Sequence, residues 1–163
     1  MDISLVRIDC RLIHGQILEA WIPHIKASCV AVVDDDMASD FFWKSAIRMA
    51  VPDDVEVLVN SVEEFSENYS YSEKEGKKTI VLFCDVYNAF KAYRSGFEFE
   101  ELNIGNMQSE ENRRYCTPAV YLCEEDIKNL QFLVDSGVKV ELRCVPRDKP
   151  LDFRDMMKKI MLP

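Results

Sequence analysis

The feature that most constrains this chain is a series of short apolar runs separated by segments with helical period. Residues 3–8 (ISLVRI), 29–33 (CVAVV), 55–59 (VEVLV) and 79–84 (TIVLFC) read as strands. The second and fourth are continuously apolar, as strands buried on both faces must be. Between them, residues 15–26 place Ile17, Leu18, Trp21, Ile22 and Ile25 on one helical face, with Pro23 as an expected kink. Residues 39–50 have the same period, and Ser61 with Glu64 resembles a capping box. Residues 67–78 read as a polar loop. Further on, 85–94, 124–134 and 152–161 read as helices, and 101–104, 117–122 and 138–145 as strands, with 107–115 lacking a clear period. Buried strands alternating with helices predict an α/β fold: a three-layer, mostly parallel open sheet with helices on both faces. No repeat, low-complexity tract or linker divides residues 1–163, so one domain is expected.

Charge and cysteine usage narrow the function. The chain of 163 residues has a net charge of −9 and no basic stripe, which argues against a nucleic-acid partner. No apolar run approaches the ~18 residues that cross a bilayer. The start, MDISLVRIDC, lacks a signal-peptide layout, so a cytoplasmic protein is expected. Cys10, Cys29, Cys84, Cys116, Cys123 and Cys144 form no CxxC pair and read as small, buried, unpaired residues. Cys10, His14, His24 and Cys29 lie close in sequence but fit no common zinc spacing, so no metal site is expected.

In open α/β sheets ligands sit beyond the carboxyl ends of strands. The first such tip, Arg7-Ile8-Asp9-Cys10-Arg11-Leu12-Ile13-His14-Gly15-Gln16, places a histidine where an outgoing loop meets a helix start. Helix N-termini favour anions, and Gly15 has no Cβ to block backbone approach. Arg11 adds a permanent cation with forked donors. A nucleophilic imidazole, a guanidinium and free amides suit a phosphoryl group. Asp9 either accepts a hydrogen bond from the second ring nitrogen or holds Arg11. His24, beside Pro23, reads as a surface or packing residue.

The stretch RIDCRLIHGQILEAW resembles the phosphorylation segment of enzyme IIB subunits of the mannose/fructose/sorbose family of the sugar phosphotransferase system. VAVVDDDMASD, ELNIGNM and VELRCVPRDKP are similar to later family segments in the same order, so the resemblance spans nearly the whole chain. It implies a type-4 IIB domain of parallel α/β fold. It implies a phosphotransferase in which His14 takes a phosphoryl group on Nδ1 from a phosphohistidine of the IIA protein. The group then passes to a sugar bound by membrane subunits IIC and IID, with IIB peripherally associated with them. Arg11 and Gly15 would hold the phosphoryl oxygens, and Asp9 and Gln16 would support the ring. No metal or organic cofactor is implied, and a homo-oligomer is compatible. Cys10 and Asn106 depart from the family pattern.

Two other readings use different residues. Asp34-Asp35-Asp36, Asp85 and Lys149-Pro150 resemble the acidic pocket and Lys-Pro of a receiver domain, with Asp85 as phosphoacceptor and Mg²⁺ on Asp34 and Asp35. Aspartates after strands are also ordinary helix caps. A binding module would use exposed aromatics of the Tyr69–Tyr71 loop.

Overall fold

The computed structural model describes residues 1–71 and 76–161. The chain runs β1 (Asp2–Asp9), a π-helical segment (Gln16–Trp21) continuing into α1 (Ile22–Ile25), β2 (Cys29–Val33), α2 (Asp35–Ser39), α3 (Phe41–Ala50), β3 (Glu56–Asn60) and α4 (Val62–Asn68). It continues through β4 (Lys78–Phe83), α5 (Val86–Arg94), β5 (Glu101–Asn106), β6 (Arg114–Thr117), β7 (Val120–Leu122), α6 (Glu124–Asp135), β8 (Lys139–Leu142), β9 (Leu151–Asp152) and α7 (Phe153–Ile160). The main sheet has the order β3-β2-β4-β1-β5-β8-β9. Every neighbouring pair is parallel except β8 with β9. The expected α/β sheet with both faces covered is the one observed.

Alternation along the strands builds two cores. Val6, Ile8, Ala31, Val33, Val81 and Phe83 face one layer, formed by α4, α5, α6 and α7. Val30, Val32, Ile80 and Leu82 face the other, where Ile17, Trp21, Ile22 and Ile47 cover them. A period of two sends successive side chains to opposite faces, so both sets must be apolar for the strand to lie inside. The helix after β1 therefore covers one face, and the helices after β4 and β5 cover the other. Loops leaving the adjacent strands β1 and β5 part in opposite directions and leave a crevice at their carboxyl ends.

Several elements differ from the sequence reading. The helix expected over 39–50 is α3, which starts two residues later, and an unexpected short helix, α2, precedes it. Asp34 and Asp40 each cap one of them, Asp34 Oδ1 accepting from the Met37 amide and Asp40 Oδ1 from those of Phe42 and Trp43. Of the strand expected over 117–122, Val120–Leu122 forms β7 and Thr117 ends β6, most of which comes from before the expected strand; the two pair antiparallel across Pro118 and Ala119. The short edge strand β9 carries no periodic signal. At Pro23 the helix changes from π to α, and Ile22 N–H closes onto Ile17 O. In the polar loop, α4 runs to Asn68 and Tyr69–Tyr71 forms a 3-10 turn, while residues 72–75 lie outside the described residues. Tyr69 is not an exposed docking aromatic. Its ring stacks on Phe65 at 6.0 Å and meets the edge of Phe97 at 4.8 Å. None of the six cysteines forms a disulfide among the described residues.

Phe97 is the hub of this aromatic group, 1% exposed and within 6.4 Å of the rings of Phe65, Tyr69, Phe83 and Phe99. Phe97→Ala is expected to lower stability by about 3–5 kcal/mol through the cavity it leaves. Urea unfolding should show an earlier midpoint with an unchanged slope; an unmoved midpoint would contradict this packing.

Candidate functional site

Beyond β1 the chain turns sharply, with Leu12 N–H donating to Asp9 O at 2.9 Å. Leu12 takes a left-handed conformation (φ 52°) and is held there by burial of its side chain. This turn folds His14 back over the end of its own strand. His14 Nε2 lies 2.8 Å from Asp9 Oδ2, and the Gln16 amide approaches His14 Nδ1 at 3.4 Å. An ionised Asp9 can only accept, so the proton belongs on Nε2 and Nδ1 presents a lone pair. The imidazole is 14% exposed, and an open groove lined by Gly15, Gln16, Glu19, His24 and Arg147 runs beside it.

Beneath the ring lies a group the sequence reading did not single out. Arg7 is completely buried on the central strand. Each of its five N–H bonds finds an acceptor. Nε donates to Asp9 Oδ2, Nη1 to Asn103 Oδ1 and Arg143 O, and Nη2 to Asp9 Oδ2 and Gln16 Oε1. A buried charge is tolerable only when paired and fully hydrogen-bonded, as here. Burial pushes the Arg7 guanidinium below its ordinary value, with Asp9 acting against that. Burial would also raise the Asp9 carboxyl. The hydrogen bond from His14, the Arg7 charge and the Asn106 amide outweigh burial and hold Asp9 below the usual carboxylate value. One signal was available: a charged pair two residues apart on a strand shares a face.

The second wall comes from β5. Ile8 pairs with Ile104 but Asp9 pairs with Asn106, so Gly105 is an extra, bulged residue. The bulge swings Asn106 opposite Asp9, where Nδ2 donates to Asp9 Oδ2 at 2.9 Å and to Gln16 Oε1 at 2.8 Å. A β-carbon at Gly105 would overlap the Arg7 guanidinium, so glycine is required by space rather than by φ. Two guanidinium groups approach the Trp21 ring, Arg7 at 5.3 Å and Arg143 at 5.6 Å from its centroid. Its Nε1 donates to Cys144 O at 2.9 Å, which ties the helix to the segment after β8.

The expected site residues divide into three groups. Asp9, His14 and Gln16 form one connected network. Asp9 takes both roles in part: it binds the ring, and its Oδ1 accepts from the Arg11 backbone amide at 3.1 Å. The guanidinium paired with it is that of Arg7, not Arg11. The Arg11 side chain is exposed and makes no hydrogen bond or ion pair with any described residue. Gly15 is exposed, and a Cβ there would meet nothing within 4 Å. Cys10 hangs its amide on Asn106 O at 3.0 Å, and burial pushes its thiol up. His24 is exposed, as expected.

Nothing supports the receiver reading. Asp34 and Asp85 cap α2 and α5, with the Asp85 carboxylate accepting from the Asn88 amide at 2.7 Å. Asp35 accepts from the Val62 amide and pairs with Lys91. The described residues bring together no three His, Cys, Asp or Glu able to hold a metal ion, and contain no helix long and apolar enough to cross a membrane.

Comparison with known proteins agrees with this geometry. Residues 3–162 match the model of the PTS system sorbose subfamily IIB component. The PTS system fructose-specific EIIB component of Bacillus subtilis is 36% identical over 160 residues, covering 98% of each chain. The mannose-specific EIIAB component of Escherichia coli is 29% identical over 98% of this chain and 50% of its own length. The IIBSor domain of the sorbose permease from Klebsiella pneumoniae superimposes with a TM-score of 0.90 at 31% identity, over 98% of both chains. The chain belongs to the sorbose subfamily of phosphotransferase-system IIB components, phosphocarriers in sugar uptake.

Proposed function

We propose that this IIB component carries its phosphoryl group on Nδ1 of His14. The observation that carries the reading is the 2.8 Å contact between His14 Nε2 and the buried Asp9 carboxylate, which leaves Nδ1 as the nucleophile. In the transfer, the Nδ1 lone pair attacks phosphorus in line while the donor's P–N bond breaks and its electrons return to the donor ring. The Nε2 proton stays in place throughout, so the adduct is an imidazolium that leaves readily when a sugar hydroxyl attacks next. Asp9 stabilises this positive ring and orients it. Arg11, exposed and without an ion pair among the described residues, meets the incoming phosphoryl oxygens, joined by the leading amides of the Gly15–Gln16 helix start.

The donor in this reading is a phosphohistidine on a IIA protein. The E. coli relative named EIIAB, which this chain matches over half its length, supports that pairing. The acceptor is a sugar held by membrane subunits IIC and IID, to which this chain docks from the cytoplasmic side. No metal or organic cofactor takes part in this reading.

Incubation with phosphorylated IIA should label the protein on His14, in a form labile to acid and stable to base. His14→Ala should take up no label; a labelled variant would assign the phosphoryl group elsewhere. Arg11→Lys keeps the charge but loses the fork, and should slow transfer about tenfold with stability unchanged. An unaltered rate would remove Arg11 from the phosphoryl site. A third expectation concerns acid. Asp9 binds protons less readily folded than unfolded, so it adds stability above its unfolded value of about 3.9. That contribution fades as pH falls through the lower folded value. Asp9→Asn should cost about 3 kcal/mol at neutral pH by leaving Arg7 unbalanced. Its stability should also decline less steeply below about pH 4 than that of the wild type. Parallel unfolding curves from about pH 3 to 7 would contradict this.

A further inference from the structure

The amide of Asn106 touches the partner of each imidazole nitrogen. It donates to Asp9 Oδ2, which binds the Nε2 side of His14, and to Gln16 Oε1, whose own backbone amide faces Nδ1. Its orientation is forced, because a flipped amide would set its oxygen against both acceptors. Asp9 Oδ2 thus receives His14 Nε2, Arg7 Nε and Nη2, and Asn106 Nδ2. An oxygen shared among that many donors offers less negative charge to each one. Arg7 is locked by its other bonds and by Gly105, so its share is fixed. Asn106 supplies the uncharged remainder.

We propose that Asn106 is a positioning residue that tempers Asp9 and so sets the pH range in which His14 takes up and releases a phosphoryl group. This rests on His14 as the phosphoacceptor. An untempered carboxylate would favour the doubly protonated ring, whose Nδ1 has no lone pair to attack with. A tempered one still fixes the tautomer and still balances the imidazolium of the adduct. The charged and titratable groups around the pair are Arg7 on β1, Cys10 and Arg11 in the loop, Glu19 and His24 on the helix that follows, and Glu141, Arg143, Cys144, Arg147 and Asp148 from β8 and the segment after it. Burial pushes both thiols up, so they stay neutral over the working range.

The test uses phosphoramidate as the small phosphoryl donor and follows the rate of phosphohistidine formation against pH. In Asn106→Ala the acid limb of that rate should move up by about half a pH unit. In Asn106→Asp, of equal size but adding a negative charge beside Asp9, it should move further in the same direction. If the alanine variant does not fold, the aspartate variant alone decides. A limb that stays in place, with or without a lower plateau, overturns the inference while leaving His14 as the acceptor. Wild-type label found on a residue other than His14 overturns the reading beneath it.

Discussion

A single carboxylate oxygen, Oδ2 of Asp9, holds the functional end of this molecule together. It lies at the carboxyl tip of the central strand and binds the guanidinium below it, the imidazole above it and the amide from the neighbouring strand. None of these contacts works alone. Arg7 would be intolerable in the core without an anion, and Asp9 would be intolerable without a cation. Because the pair is complete, the region can exclude water and still hold a polar imidazole in one orientation. The ion pair makes specificity of arrangement rather than raw stability, since apolar residues would pack there as well.

The topology explains why the ring above so buried a pair stays open to solvent. Helices leaving β1 and β5 cover opposite faces, so the tips of those strands are not roofed over. The Gly105 bulge then aims Asn106 into the opening. Trp21 closes the side by contacting two guanidinium groups and bonding to the backbone after β8. Strands distant in sequence are thereby brought to one small area, and the exposed part of the ring faces outward from a rigid floor.

Much of this was legible in the chain, and the illegible part has a common cause. The runs 29–33 and 80–83 announce themselves because strands buried on both faces must be apolar there. His14 stands out because it falls where a strand's outgoing loop meets a helix. The short helix α2 and the hairpin at Pro118 are hidden because capping and turn chemistry act over only one or two residues, too few to set a helical or strand period. At the site, the local spacing suggested Arg11 as the companion of Asp9, yet the structure turns that side chain to solvent. The true companion, Arg7, is visible only once its acceptors at Asn103 and Arg143 are brought across the sheet. Those partners lie far along the chain, where no local pattern reaches.

The crowding at Gly105 also bears on how a chain of this kind can change over time. Any side chain there must occupy the volume now filled by the Arg7 guanidinium. The two positions therefore cannot drift independently, and their effects must be strongly non-additive. A lineage that loses the arginine first opens room beside the bulge, and the glycine becomes replaceable. A lineage that gains a side chain at the bulge first expels a charge from the core. History at these sites thus has a permitted order, written by the shape of one buried cation.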